Sequence, residues 1–454
     1  MTTVIPIDTP GLGDRTYLAH DGKVALVVDP QRDYDRVLAA ADEAGVTITH
    51  VFETHIHNDY VTGGLALAEA VGASYLVNAD DPVAFERTPV RDRDVIEVGD
   101  TMGVRVVHTP GHTHTHLSFA LEAGGEPVAV FTGGSLLFGS TGRPDLLGPD
   151  HTDALVHAQW HSAHRLTDEL PDATVVYPTH GFGSFCSATQ SEATASTIGD
   201  EKTSNPALTQ DEATYVEQLL AALDDFPAYY ARMGPANSAG PGAPDLSAPE
   251  IADPAELRRR IDGGEWVVDL RTRSAFAAGH LDGTVNFGID GQFVTYLGWI
   301  LPYDATITLL GETPEQVAEA QREMVRIGMD PAAMASGKPE EWADGAALGS
   351  FPVGDFNSLA AELRQHPDAT DRVLLDVRRG SEFDAGHIDG AVNVPIHTVL
   401  SHLESIPHKK LWVHCAAGYR ASVVASILAA RGHDVVAVDD SFDENAAKAG
   451  LPVV

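Results

Sequence analysis

Two stretches of this 454-residue chain repeat one another. Residues 266–288 read WVVDLRTRSAFAAGHLDGTVNFG, and residues 373–395 read VLLDVRRGSEFDAGHIDGAVNVP. Asp269 matches Asp376, Arg271 matches Arg378, and Gly279-His280 matches Gly386-His387, a period of 107 residues. A period that long marks a duplicated domain rather than a solenoid unit. Each copy runs from an apolar strand, through a Gly-His-Ile/Leu-Asp-Gly turn, to a short second strand. Helical patterns such as Glu315 to Ile327 and Ala421 to Arg431 follow. Alternating strands and helices predict a parallel α/β sheet in each copy.

Ahead of the repeats, Gly234 to Glu250 reads GPANSAGPGAPDLSAPE, a composition expected of a linker. A second break, Gly345 to Gly354, separates the copies. The expected division is 1–235, a linker at 236–248, and repeat domains at 249–345 and 353–454. Residues 1–235 carry short strand patterns at Tyr17–Ala19, Val24–Asp29, His50–Thr54, Ser74–Asn78, Val104–Thr109, Leu117–Leu121, Ala129–Thr132 and Thr174–Pro178. Helical patterns at Tyr34–Ala44, Gly64–Val71 and His151–Leu170 lie between them. That mixture predicts a layered α/β or α+β sandwich.

Composition removes several function classes. Lys and Arg total 29 against 66 Asp and Glu, for a formal charge of −37. A basic nucleic-acid groove and an anionic membrane surface are poor partners for such a chain. Arg outnumbers Lys, so the acidity reads either as high-salt adaptation or as an ordinary acidic enzyme. The two cysteines, Cys186 and Cys415, cannot build a disulfide framework or a four-cysteine zinc site. Met1 to Gly13 lacks a basic, then apolar, secretory pattern, and no apolar run approaches membrane-spanning length. A cytoplasmic location is the expectation.

Histidines cluster at strand ends. Residues 54–64 read THIHNDYVTGG, residues 108–118 read HTPGHTHTHLS, and residues 177–183 read YPTHGFG. Two histidines one residue apart at a strand end can both face one cavity, and a nearby Asp can join or orient them. Imidazole and carboxylate suit zinc or ferrous iron. The candidate ligands are His55, His57, Asp59, His112 and His180.

The HxHxD, PGHT and strand-end His pattern resembles the metallo-β-lactamase fold, which implies an αββα sandwich over nearly all of 1–235. More narrowly, THIHNDYVTGG, PGHT and GRPDLLG resemble the persulfide-dioxygenase branch and its rhodanese-fused relatives. That resemblance implies a mononuclear Fe(II) centre, with zinc the alternative, because Tyr60 stands where two-metal hydrolases carry a His. It also implies that His55 and His112 ligate the metal. The branch's third ligand, an Asp in FTGD, falls on Gly134 in Phe131-Thr132-Gly133-Gly134. His57, Asp59 or His180 would complete the set, or His114 or His116 would swing in. The implied chemistry transfers oxygen atoms from O2 to a persulfide sulfur, giving sulfite. Arg143, in GRPD, would meet an anionic substrate or pair with Asp145.

Residues 411–422 read LWVHCAAGYRAS. A strand leads into Cys415, a loop closes at Arg420, and a helix follows. Loop N–H groups, Gly418 included, and Arg420 are expected to favour a thiolate and to bind an anionic sulfur substrate. With DVR and GHIDGAVN, the six-residue Cys-x-x-Gly-x-Arg loop resembles a rhodanese, or sulfurtransferase, domain. Its phosphatase relatives carry one residue more. The resemblance implies that Asp376 and Arg378 support the fold. In the first copy Gly311 aligns with Cys415, so that copy is expected to serve as scaffold or dimer contact. Cys186 reads as a buried residue or as one reaching the substrate channel.

Together these features predict sulfane-sulfur metabolism, with a small-molecule persulfide or thiosulfate, a thiol and O2 as reactants. A glyoxalase II-type thioester hydrolase and a sulfur-binding or sensing protein are the alternatives.

Overall fold

The computed structural model describes residues 2–189, 193–366 and 370–454. The chain divides into two compact units, Met1–Asp245 with Val325–Gly328, and Leu246–Met324 with Met329–Val454. Among the described residues, no helix is long and apolar enough to cross a membrane.

The first unit holds two sheets. One has six strands in the order Thr3–Thr9, Asp14–His20, Val24–Val28, Thr47–Phe52, Ser74–Asn78 and Thr88–Val90. The other orders Val175–Pro178, Glu126–Gly133, Leu117–Ala123, Met102–His108 and Val95–Val98. Alternation along these strands gives each sheet two apolar faces. The inner faces meet in a core built around Tyr17, Phe52, Phe119 and Phe131. The outer face of the first sheet packs with Val37 and Ala41 of helix Asp35–Ala44 and Leu67 of helix Gly64–Val71. The outer face of the second packs with Val156, Ala163 and Leu166 of helix Pro149–Glu169. This is the αββα arrangement, with strand ends and loops gathered at one edge where the histidines lie.

The expected linker is shorter than its composition predicts. Helix Tyr230–Ala239 runs through Pro235 and into the Gly-Pro-Ala-Asn stretch. Asn237 in it is 1% exposed. Its amide donates to the carbonyls of His57 (2.9 Å) and Tyr60 (2.8 Å), and its side-chain oxygen accepts from the Thr62 N–H (2.9 Å). Three bonds to an otherwise irregular loop outweigh the local preference of this sequence for coil.

In the second unit the sequence repeat reappears as a repeated sheet. Strands Glu250–Ile251, Ala333–Ser336, Ile307–Gly311, Trp266–Asp269 and Val285–Asn286 form one all-parallel sheet in that order. Strands Val353–Gly354, Val435–Val438, Lys410–His414, Arg372–Asp376 and Val392–Asn393 form the other. In each copy an Arg folds onto the Asp two residues earlier and reaches the carbonyl of the Gly-His turn. Arg271 bonds Asp269 at 2.7 Å and Gly279 at 2.9 Å; Arg378 bonds Asp376 and Gly386 at the same distances. The break at 345–354 separates two sheets but not two compact units. The reason is helix Tyr419–Ala429, whose residues Ala421 to Leu428 are all buried. Its Ser426 hydroxyl accepts from the Asn286 N–H at 2.8 Å, and the Tyr419 hydroxyl donates to the Gly288 carbonyl at 2.9 Å.

Candidate active sites

Five predicted residues, His55, His57, Asp59, His112 and His180, are brought together in the first unit, each at most 1% exposed. The strand Thr47–Phe52 delivers the 55–59 loop, the strand Met102–His108 leads to His112, and the strand Val175–Pro178 leads to His180. The ring centroid of His55 lies 4.8 Å from that of His112 and 5.4 Å from that of His180. One donor atom from each of His55, His112 and His180 falls within 4.8 Å of the other two.

The ring tautomers follow from what holds each Nδ1. His55 Nδ1 stands 2.9 Å from the Thr54 hydroxyl, which itself donates to Asp29, so the ring nitrogen is the donor. His112 Nδ1 donates to the Arg143 carbonyl at 2.9 Å. His180 Nδ1 donates to Asp14 at 2.8 Å and lies 3.2 Å from Asp59. The three Nε2 atoms are left buried with no hydrogen-bond partner. Buried polar atoms without partners are costly. Three of them converging, each backed by an acceptor on Nδ1, fit a bound metal ion. Burial pushes His112 down to about 3 and His55 well below the usual imidazole range. Burial alone would lower His180 too, but Asp59 and Asp14 outweigh it and raise that ring well above its ordinary value.

Gly134 cannot be repaired by a side chain. A Cβ there would lie 2.3 Å from His112 Cδ2 and 2.6 Å from its Cγ. His112 occupies the space a carboxylate at this position would need. The expected rescue by His114 or His116 does not occur. His116 uses Nε2 to accept from the Gly134 N–H at 3.0 Å and Nδ1 on the Thr109 hydroxyl at 2.9 Å. His114 pairs with His151 at 3.0 Å at the exposed surface.

His57 and Asp59 lie in a second group with His180, again within 4.8 Å. Each keeps one buried atom without a hydrogen-bond partner, His57 Nδ1 and Asp59 Oδ1, while its other polar atom is engaged, Asp59 Oδ2 lying 3.2 Å from His180 Nδ1. His57 Nε2 stands 3.3 Å from Asp29, 3.2 Å from Glu53 and 3.0 Å from the Tyr60 hydroxyl. Burial would lower His57, but these carboxylates outweigh it and raise it to about 9. Asp29 itself sits at φ 52°, a left-handed backbone that a non-glycine residue adopts at a cost. It receives the Thr54 N–H and hydroxyl, both at 2.7 Å, and the Thr179 hydroxyl. Sequence reading missed Asp14, Asp29 and Glu53. Their signal is only that each lies at the end of a short strand.

Arg143 is committed away from any substrate. It is 4% exposed and grips Asp145 at 2.7 and 2.8 Å. It also donates to the Asp224 carbonyl at 2.6 Å and the Phe185 carbonyl at 3.3 Å. Its backbone carbonyl, not its charge, touches the histidine cluster. Cys186 is fully buried, its thiol pushed well up by burial and by Asp59, and its carbonyl accepts the Arg143 N–H at 2.8 Å.

In the second unit Cys415 sits at the base of its loop. The Gly418 N–H reaches its Sγ at 3.2 Å and the Ala421 N–H at 3.4 Å. Gly418 has φ 89°, and a Cβ there would strike Asp439 at 2.1 Å, so only glycine closes this turn. Arg420 is not a free cation over the thiol as expected. Its guanidinium lies on Glu382 through two bonds of 2.6 and 2.7 Å. Burial would raise Glu382; Arg420 outweighs it and holds the carboxyl at about 2. The repeat itself carried the signal for Glu382. In the first copy Gly311, Ala275 and Gln316 occupy the places of Cys415, Glu382 and Arg420.

Known proteins match these two regions. The metallo-β-lactamase superfamily pattern matches residues 10–180, and the rhodanese-like domain pattern matches residues 359–448. The chain is 34% identical over 160 residues to a hydroxyacylglutathione hydrolase of Polaromonas sp. (strain JS666), covering 35% of this chain and 57% of that protein. It is 28% identical over 213 residues to the mitochondrial persulfide dioxygenase ETHE1 of Bos taurus, covering 46% of this chain and 74% of that protein. A solved metallo-β-lactamase structure from Staphylococcus aureus superposes with a TM-score of 0.65 at 30% identity, covering 74% of this chain and 99% of that one. The chain thus spans a little over half the length of the hydroxyacylglutathione hydrolase it matches.

Proposed function

The chain belongs to the metallo-β-lactamase superfamily and carries a C-terminal rhodanese-like domain, and from that premise we propose that it is a sulfane-sulfur enzyme. Its first unit oxidises a low-molecular-weight persulfide at a mononuclear ferrous centre, and Cys415 carries sulfur in its second. The observation that carries this reading is the convergence of three bare Nε2 atoms, from His55, His112 and His180.

His55, His112 and His180 are the residues that would hold a ferrous ion, which would supply oxygen chemistry toward a persulfide sulfur. The chain's own residues prepare that site. The Arg143 carbonyl, the Thr54 hydroxyl and Asp14 each fix a proton on Nδ1 and so keep Nε2 free. Asn237 clamps the 57–62 loop. Imidazole in place of carboxylate removes a negative charge from the donor set, which favours an anionic sulfur substrate in a chain of charge −37.

Similarity to hydroxyacylglutathione hydrolases favours a second reading, metal-dependent thioester hydrolysis. A two-metal version would have to use His57, Asp59 and a shared His180, because Tyr60 is spent on His57 and position 134 has no side chain. Metal analysis after anaerobic purification separates the readings. Iron near one per chain, with O2 uptake on adding glutathione persulfide, supports the oxygenase; two zinc ions with thioester cleavage support the hydrolase. Neither metal supports a sulfur-binding protein. His112→Ala should remove both metal and O2 uptake. Cys415→Ser should abolish sulfur transfer to cyanide and leave metal content unchanged.

A further inference from the structure

Cys415 opens onto a pocket of about 510 Å³, its mouth included. Ala416, Ala417 and Tyr419 wall it from the second copy. Gly291, Gln292 and Tyr296 wall it from the first, the copy that has no cysteine. The approach is close: a Cβ at Gly291 would lie 2.2 Å from the Tyr419 ring. Tyr296 is 8% exposed and packs 5.9 Å from Tyr419 and 6.2 Å from Trp299, centroid to centroid. We propose that the Cys-less copy selects the sulfur donor of Cys415, favouring a singly charged alkyl persulfide over the thiosulfate dianion. The inference rests on the reading that Cys415 carries sulfur.

Charge supports it. The two residues after Cys415 are alanines, so the loop itself brings no cation before Arg420. Arg420 and Arg379 both bond Glu382. Arg273 bonds Asp439 at 2.9 Å and lies 4.0 Å from Asp290. Three guanidinium groups therefore face three carboxylates, and no net positive charge is left to repay the desolvation of a dianion. The backbone N–H groups of Gly418 and Ala421 are enough for one sulfur-centred charge. The Tyr296 ring and the two alanine methyl groups offer an apolar wall to the organic part of a persulfide. Thiosulfate has no such part.

The transfer balances without an external oxidant. The anionic donor R–S–S⁻ takes a proton from water or from the Cys415 thiol to give R–S–SH, and the Cys415 thiolate attacks its outer sulfur. An Sγ–S bond forms, the donor's S–S bond breaks, the proton stays on the transferred sulfur, and R–S⁻ leaves with the bonding pair.

The test uses the reduced full-length protein with glutathione persulfide or thiosulfate at equal concentration. Persulfidation of Cys415 is followed by mass spectrometry. The persulfide rate should exceed the thiosulfate rate by about a hundredfold, a discrimination within reach of one well-matched pocket. Ala417 is exposed, so Ala417→Lys should fold; it should raise the thiosulfate rate about tenfold, as one added charge near the thiol predicts, and, by replacing part of the apolar wall with a cation, lower the persulfide-to-thiosulfate ratio at least as much. Tyr296→Ala should cut the persulfide-to-thiosulfate ratio about tenfold through lost apolar contact, and Gln292→Lys provides a second variant in the same copy. Equal rates with the two donors, or a ratio unmoved by all three substitutions, overturns the selectivity. If neither donor labels Cys415, the sulfur-carrier reading fails instead.

Discussion

His180 Nδ1 lies 2.8 Å from Asp14 Oδ1, a contact that joins residues 166 positions apart. The carboxylate absent at position 134 is thus present behind a histidine, not on the cavity wall. Asp14→Asn keeps the shape and removes the charge. It should weaken metal retention about 10- to 100-fold while the fold persists. Metal content after dialysis against a graded chelator measures this, alongside a thermal melt to confirm folding. Undiminished retention would mean His180 needs no such partner.

Gly134→Asp restores the family's usual residue, yet it should harm this site. The new Cβ would collide with the His112 ring at 2.3 Å. Overpacking of this kind costs about 1–3 kcal/mol, and the displaced imidazole should lose metal. Unfolding midpoints and metal-to-protein ratios of the variant check both effects. A well-folded variant with higher metal occupancy would refute the three-histidine site.

Glu382 and Arg420 make stability depend on pH in a defined sense. The folded-state carboxyl sits at about 2, below the usual 4.5. The pair's contribution is therefore full above about pH 4.5 and is lost as pH falls from there towards 2. Glu382→Gln should cost about 1–2 kcal/mol at pH 7 and progressively less at pH 4 and pH 3. Urea midpoints of the two proteins at each pH test the trend. A constant difference across that range would show that the carboxylate charge contributes nothing.

Placing a thiol in the first copy should not create a second carrier. At Gly311 a Cβ would lie 2.8 Å from Val317 Cγ2 and 3.1 Å from Gln316 Oε1, so the loop has closed over the position. Gln316 is itself engaged with the Glu312 N–H and the Leu270 carbonyl. The double variant Gly311→Cys with Cys415→Ser should stay unlabelled by glutathione persulfide under conditions that fully label the wild-type protein.

Much of this was legible because it is local. Strand patterns such as Ser74–Asn78 and the helix Gly64–Val71 appear where alternation and helical spacing place them. Asn237 shows the limit. Its neighbours Gly234, Pro235 and Gly240 read as linker, and only the carbonyls of His57 and Tyr60, distant in sequence, give its amide a reason to sit in a buried helix. Arg143 shows the same limit from the other side. Its motif was visible, but its commitment to the Asp224 and Phe185 carbonyls was not.

By itself the sequence determined the duplicated parallel sheets, the layered first unit, the His-rich strand ends and the single thiol loop, because periodicity, turn residues and motif spacing are properties of neighbours along the chain. Only the tertiary structure decided which histidines converge, that Asp14 backs His180, that Glu382 takes up Arg420, and that a copy without cysteine walls the pocket of the other. Those outcomes depend on which buried polar atoms find partners across large separations, and no local pattern records that choice.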